Sequence, residues 1–223
     1  MADENNKLQQ LIPMAPAQLG VRGLRRQAQA ELVKLNPQDR PNRYAIGFDD
    51  SGSMQGEAIK NAKLGVSNFL TSCQPKETSV SIFTFDGKVV SLTCDYNAIN
   101  VVVSGLSASA STPFFHTVNK MVNYEVTRAI VFSDGAPDYN DPGNWQEKTI
   151  NTAREKKIPV DCVYIGIGDN EYMKDLSEKT GGIYMRFEDA KTLSRQLKYL
   201  SPAYIGMLMN AELKAKVERG ESI

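Results

Sequence analysis

Hydrophobic positions along the chain fall into two kinds of run, and the alternation of the two predicts the fold. Tyr44–Phe48 (YAIGF), Val80–Phe85 (VSIFTF), Arg128–Phe132 (RAIVF) and Val160–Ile167 (VDCVYIGI) are short and largely apolar. Near-continuous apolar runs suit strands covered on both faces, as in a parallel sheet. Between them the apolar residues spread out at helical spacing. Gln55–Leu70 carries Ala58, Ala62, Leu64, Val66, Phe69 and Leu70 in this way. Phe114–Val122, with Pro113 as its first helical residue, and then Trp145–Lys157 and Glu171–Lys179 read as further helices. Asn97–Val103 reads as a short helix, Ile183–Phe187 as a short strand and Asp189–Leu200 as a helix. Asp86-Gly87 is a hairpin turn signal, so Lys88–Thr93 returns antiparallel to Val80–Phe85. This order predicts an α/β fold: a doubly wound, mostly parallel six-stranded sheet with one antiparallel edge strand and helices on both faces.

The two ends follow a different pattern. Pro13 and Pro16 bar a helix around Met14, whereas Ala17–Leu35 puts Leu19, Leu24, Ala28, Leu32 and Leu35 on one stripe. Asn36-Pro37 ends that helix, and Asn36–Arg43 (NPQDRPNR) reads as a linker. Ser201-Pro202 breaks the chain again before a last helix over Tyr204–Val217, apolar at first (IGMLM) and charged later. Three parts are expected: an N-terminal arm with an amphipathic helix and linker over 1–42, the α/β domain over 43–200, and a C-terminal helical extension over 201–223.

Charge changes the picture little. Lys plus Arg and Asp plus Glu balance at 26 each, so nothing global points to nucleic acid or an anionic membrane. The N-terminus, MADENNKLQQ, lacks the basic-then-apolar pattern of a secretory signal, and no apolar run approaches the length of a membrane span. A cytoplasmic protein is expected, or one in a particle assembled in the cytoplasm. Cys73, Cys94 and Cys162 are odd in number and widely spaced, without a CxxC pair, which argues against zinc and for reduced core thiols.

In a doubly wound sheet, chemistry gathers at the carboxyl ends of the strands. Two of the buried runs end there in acid on small-residue turns: Asp49-Asp50-Ser51-Gly52-Ser53 and Ser133-Asp134-Gly135. A third loop carries Thr112-Pro113 at the start of a helix. Carboxylates and hydroxyls are hard oxygen donors suited to magnesium, manganese or calcium. The D-x-S-x-S spacing sets three side chains on one side of a tight loop, with Gly52 read as the residue that lets the backbone turn where a Cβ would obstruct. Two carboxylates and three hydroxyls leave an octahedral shell incomplete, to be finished by water or by a partner's carboxylate. Taken alone, D-x-S-x-S reads first as an ordinary strand-to-helix turn with an Asp or Ser cap. Asp86 and Asp169 read as turn and loop residues, and Asp138 and Asp141 as solvated turn residues. His116, the single histidine, reads as a packed or surface residue, and Trp145 and Tyr139 as recognition aromatics or helix-packing groups.

Together, FDDSGSM, ASTPFF and VFSDGAPD resemble the metal-ion-dependent adhesion site of von Willebrand factor A domains. The resemblance covers about residues 43–200. Asp49, Ser51 and Ser53 match the family's first motif, Thr112 its second and Asp134 its third. It implies one divalent cation on these five residues, Mg2+ foremost with Ca2+ or Mn2+ as alternatives. It also implies a non-catalytic module that docks a protein partner through an Asp or Glu. Two positions depart from the family's habit: Asp50 stands where a neutral residue is usual, and Ser111 where Gly is common. Asp50 is expected either to add negative charge to the site or to point to solvent.

The resemblance further implies the intracellular bacterial or phage type, which often works beside AAA+ ATPases or kinase and phosphatase systems, and the short N-terminal arm resembles the stand-alone tellurium-resistance-associated type. Two other functions stay open: a structural subunit of a phage or bacterial assembly, and a metal-dependent phosphohydrolase. Against catalysis, an aspartyl nucleophile pattern wants a second Asp where Ser51 stands. Gly166-x-Gly168 lacks a third glycine, and there is neither a P-loop nor a G-x-S-x-G elbow.

Overall fold

The computed structural model describes residues 36–135, 144–188, 192–193, 196–205 and 215. Six strands form one sheet: β1 (Asn42–Phe48), β2 (Thr78–Thr84), β3 (Val89–Thr93), β4 (Arg128–Ser133), β5 (Val160–Ile165) and β6 (Tyr184–Phe187). Their order across the sheet is β3-β2-β1-β4-β5-β6. β2 and β3 pair antiparallel and the other described pairings are parallel. This is the doubly wound sheet expected, with the antiparallel strand at one edge. The helices are α1 (Glu57–Thr71), α2 (Tyr96–Gly105), α3 (Phe114–Val122), α4 (Trp145–Glu155), α5 (Glu171–Thr180) and the short α6 (Pro202–Ile205).

The two-residue repeat of the strands divides the core between two faces. Tyr44, Ile46 and Phe48 of β1 join Ala62, Val66, Phe69 and Leu70 of α1, with Leu193, Leu197 and Leu200 beneath. Ala45 faces the other way, into Phe114, Phe115, Val118 and Met121 of α3, Ile150 of α4 and Leu176 of α5. Burying both faces is what made these runs apolar throughout. The three thiols are free and buried, and burial pushes those of Cys73 and Cys162 up to about 12.

An ion pair is among the polar groups buried in this apolar frame. Asp161 on β5 is fully buried and accepts both a 2.6 Å bond from Arg128 Nε and a 2.6 Å bond from Arg128 Nη2 on β4. Its Oδ1 also accepts the Ile183 amide at 2.8 Å, just ahead of β6. The pair therefore ties together the starts of three adjacent strands.

Several boundaries differ from the sequence reading for tertiary reasons. The Asn36–Arg43 segment is not a bare linker. It holds a 3-10 turn at Pro37–Asp39, Arg40 Nη1 donates to the Lys76 carbonyl at 2.6 Å, and Ser79 Oγ donates to the Pro37 carbonyl at 2.8 Å. β1 begins at Asn42 because Asn42 and Arg43 already pair with Thr78 and Ser79. Pro113 precedes α3 as its cap, with a non-helical ψ of 56°, instead of serving as its first helical residue. The Asp189–Leu200 helix is described only in part: Thr192, Leu193 and Gln196 are helical, and Leu197–Leu200 forms a 3-10 turn. The expected Ala17–Leu35 helix, and the Tyr204–Val217 helix past Ile205 apart from residue 215, lie outside the described residues. Among the described residues no helix is long and apolar enough to cross a membrane.

Candidate metal centre

The site is assembled at the carboxyl ends of β1 and β4. Past Phe48, the Asp49 amide still donates to the Phe132 carbonyl at 3.0 Å, so the sheet ladder carries the chain one residue beyond the strand. Asp49 is fully buried there. Its Oδ1 accepts the Ser51 amide at 2.8 Å, an aspartate turn that folds the loop back on itself. Its Oδ2 accepts Ser133 Oγ at 2.5 Å. A 3-10 turn over Gly52–Met54 then brings Ser53 round, so that Ser51 Oγ and Ser53 Oγ stand 3.0 Å apart. Ser53 Oγ in turn donates to Asp134 Oδ1 at 2.9 Å. Asp49, Ser51, Ser53 and Asp134 are thus joined into one polar cluster, with Ser53 exposed and Asp134 half-buried at its open side.

Thr112 is positioned through its loop. Ser51 and Ala110 form a parallel bridge, the Gly52 amide donates to the Ala110 carbonyl at 3.1 Å, and half-buried Thr112 follows two residues later. Its carbonyl accepts the Phe114 amide at 2.7 Å as α3 begins. The Asp134 loop has its own brace. Asn170 Nδ2 donates to the Gly135 carbonyl at 3.0 Å, while Asn170 Oδ1 caps α5 by accepting the Met173 amide at 3.1 Å.

The electrostatics follow from burial. The Asp49 carboxyl is held above the usual carboxylate range by desolvation, opposed by hydrogen bonds from Ser133 and Ser51 and reinforced by the Asp134 charge. Desolvation also raises Asp134, against the hydrogen bond from Ser53. Two carboxylates carrying this penalty, with hydroxyls between them, form a hard-oxygen set that a divalent cation would relieve. No group of three or more His, Cys, Asp or Glu suited to a metal ion occurs among the described residues.

A family match, described as the von Willebrand factor type A domain, covers residues 43–186. The chain belongs to the von Willebrand factor type A family. Solved structures agree on the fold. A von Willebrand factor type A protein from Catenulispora acidiphila superposes with a TM-score of 0.59 at 20% identity, covering 80% of this chain and 43% of that one. The pilus adhesin SpaC from Lactobacillus rhamnosus GG gives 0.59 at 18% identity over 74% of this chain and 31% of that one. The SpRpn10 VWA domain gives 0.55 at 14% identity over 72% of this chain and 95% of that one. The chain therefore spans under half the length of the first two. No curated protein sequence matches it.

Within this von Willebrand factor type A domain, several residues behave differently from the sequence reading. A Cβ on Gly52 would meet nothing within 4 Å; the loop's left-handed position is Gly56, with φ of 84°. Asp50 does not point to solvent. It is 2% exposed, and its Oδ1 accepts the Asp86 amide of the β2–β3 turn at 3.0 Å. Ser133 was visible only as the residue before Asp134, yet it orients the Asp49 carboxylate. Asn170 carried no sequence signal beyond its place before a helix. Asp86 is a turn residue as expected, paired with Lys88 Nζ at 2.5 Å, and Asp169 pairs with Arg186 at 3.4 Å. His116 packs edge-on against Trp145 with ring centroids 4.8 Å apart. Asp138, Tyr139 and Asp141 lie outside the described residues.

Proposed function

We propose that this domain docks a protein partner through one divalent cation held by Asp49, Ser51, Ser53, Thr112 and Asp134, with a partner Asp or Glu completing the coordination shell. The carrying observation is the run of contacts from Ser51 Oγ to Ser53 Oγ to Asp134 Oδ1, which joins two strand ends at a solvent-open edge. Mg2+ is the favoured ion, because it binds through one or two carboxylates and keeps open positions, whereas Ca2+ asks for six to eight oxygens. A divalent cation would offset the burial that raises these two carboxyls. An ion left with an open position would attract an acidic side chain, which makes the interaction metal-dependent and selective for carboxylate.

The reading is non-catalytic. His116, the single histidine, packs edge-on against Trp145, and no hydrogen bond from it to a nucleophile occurs among the described residues. Among the fold's neighbours, one is a pilus adhesin, in keeping with a binding role. Cytoplasmic partners of the kinds the family resemblance suggests, such as AAA+ ATPases, kinase or phosphatase systems and assembly components, are the first to test. The arm over 1–42 and the extension over 201–223 are proposed to flank the docking domain.

The test is affinity capture from lysate in Mg2+ and in chelator, with wild type and Asp49→Ala, followed by calorimetry of the captured partner and its Asp/Glu→Ala variants. Capture in Mg2+ by wild type alone is the expected result. The same captured set in all four conditions would overturn metal-dependent docking.

A further inference from the structure

We propose that Asp50 is a positioning residue of the cation site: it clamps the Asp49–Ser53 ligand segment between the β2–β3 turn and the Thr112 loop without being a ligand itself. The inference rests on the cation reading above and adds how this chain holds its ligands at the required spacing.

The argument starts from cost. A carboxylate taken out of water is unfavourable unless it accepts hydrogen bonds. Asp50 is 2% exposed, yet it sits at the intervening position of D-x-S-x-S, where a solvent-facing neutral side chain would cost nothing. Its carboxylate is met by the Asp86 amide at 3.0 Å. The turn that presents this amide is itself held. The Asp86 carboxylate accepts from Thr84 Oγ1, from the Lys88 amide at 3.2 Å and from Lys88 Nζ at 2.5 Å. The Asp86 carboxylate is thereby engaged within its own turn.

The backbone of Asp50 reaches the other way. Its carbonyl accepts the Ser109 amide at 2.8 Å and the Ala110 amide at 2.9 Å, which uses both lone pairs. Side chain and carbonyl thus tie one residue to two separate loops, and any rotation at Asp50 breaks at least one of these bonds. Asp49 and Ser51 share its peptide planes, so the clamp fixes the backbone from which both side chains project. Thr112 lies two residues past Ala110 on the clamped loop. Ligand sets of this kind tolerate errors of only about 0.5 Å. A residue that sets the distance between the first motif and the Thr112 loop therefore acts on affinity through geometry.

Charge and hydrogen bonding are separable by substitution. Asp50→Asn keeps an acceptor oxygen for the Asp86 amide and removes the charge. Asp50→Ala removes both. Asp50→Thr, neutral and shorter, is the second variant should the alanine form not fold. MgCl2 is titrated calorimetrically into the full chain of each, and amide exchange at Asp86, Ser109 and Ala110 is followed in chelator. The expected result is about a tenfold or greater loss of Mg2+ affinity in Asp50→Ala and Asp50→Thr, within the range seen for groups that orient metal ligands. Asp50→Asn is expected to stay within about threefold, and the three amides to lose protection in Ala and Thr but not in Asn. Wild-type affinity in Asp50→Ala or Asp50→Thr, or an equal loss in Asp50→Asn, would overturn positioning. A wild-type chain that takes up no Mg2+ would instead overturn the cation reading. Exchange alone then decides the clamp: unchanged protection in Asp50→Ala or Asp50→Thr overturns it, and lost protection supports it.

Discussion

Replacing Asp161 by Ala probes the buried Arg128–Asp161 ion pair of the sheet. The carboxylate is fully buried, takes two 2.6 Å bonds from Arg128, and accepts the Ile183 amide at 2.8 Å. Alanine leaves the Arg128 guanidinium, whose side chain is 14% exposed, facing an apolar hole. Stranding one member of a buried pair costs about 3–5 kcal/mol. The orphaned Ile183 amide adds to that cost, since an unsatisfied buried donor costs about 1–3 kcal/mol. The two losses share one network and do not simply add, so about 4–5 kcal/mol is expected for the whole. That is a large part of the roughly 5–15 kcal/mol that holds a domain folded. Urea unfolding followed by far-ultraviolet circular dichroism, at unchanged m-value, measures it. The double variant Arg128→Met/Asp161→Leu removes both charges together and should cost less than Asp161→Ala, because no buried ion is left alone. A loss below about 1 kcal/mol in Asp161→Ala would refute the reasoning, since it would mean the pair is hydrated or dispensable.

Three further outcomes follow from the geometry. Gly182→Ala would set a Cβ 1.9 Å from the Val160 carbonyl oxygen, so backbone must move; a cost of about 3 kcal/mol should lower the melting temperature by about 6–12 °C, and a change under about 2 °C would contradict it. Ser133→Ala removes the hydroxyl that donates to Asp49 Oδ2 and accepts the Gly135 amide at 3.2 Å; calorimetry should show Mg2+ affinity falling about 10–100-fold with the fold intact. The third concerns pH. Burial raises the Asp49 carboxyl in the folded state, so the native protein binds more protons than the unfolded chain above the ordinary carboxylate pKa of about 4. Stability in chelator should therefore fall as pH rises through that window, relative to Asp49→Asn, and saturating Mg2+ should abolish the slope; melting curves of the two that run parallel in chelator would exclude it.

The parts of this molecule that local pattern decides were legible in its sequence. β1, β4 and β5 stand out as apolar runs because both faces of the sheet are covered, and Asp86-Gly87 announces its hairpin through turn chemistry alone. The candidate ligands were legible as residue types at strand ends. What escaped depends on contacts remote in sequence. Asp50 looks like a surface residue until the Asp86 amide, 36 positions on, is placed beside it. The Asn36–Arg43 stretch reads as a linker because nothing local shows that Arg40 reaches the Lys76 carbonyl. Gly52 was misread because a Gly/Ser-rich loop does not say which glycine bears the left-handed turn; the backbone puts it at Gly56.

The Ser53–Asp134 bond joins residues 81 positions apart, and the Ser133–Asp49 bond joins residues 84 apart. In an unfolded chain those oxygens are seldom together, so a cation that needs both motifs would find its cage only in the native state. Such an ion is a reversible staple across the middle of the chain, closed by folding and opened by chelation. Each tenfold rise in free cation above its dissociation constant would then deepen the native basin by about 1.4 kcal/mol. The resistance of the chain to unfolding would become a direct gauge of the metal supply around it.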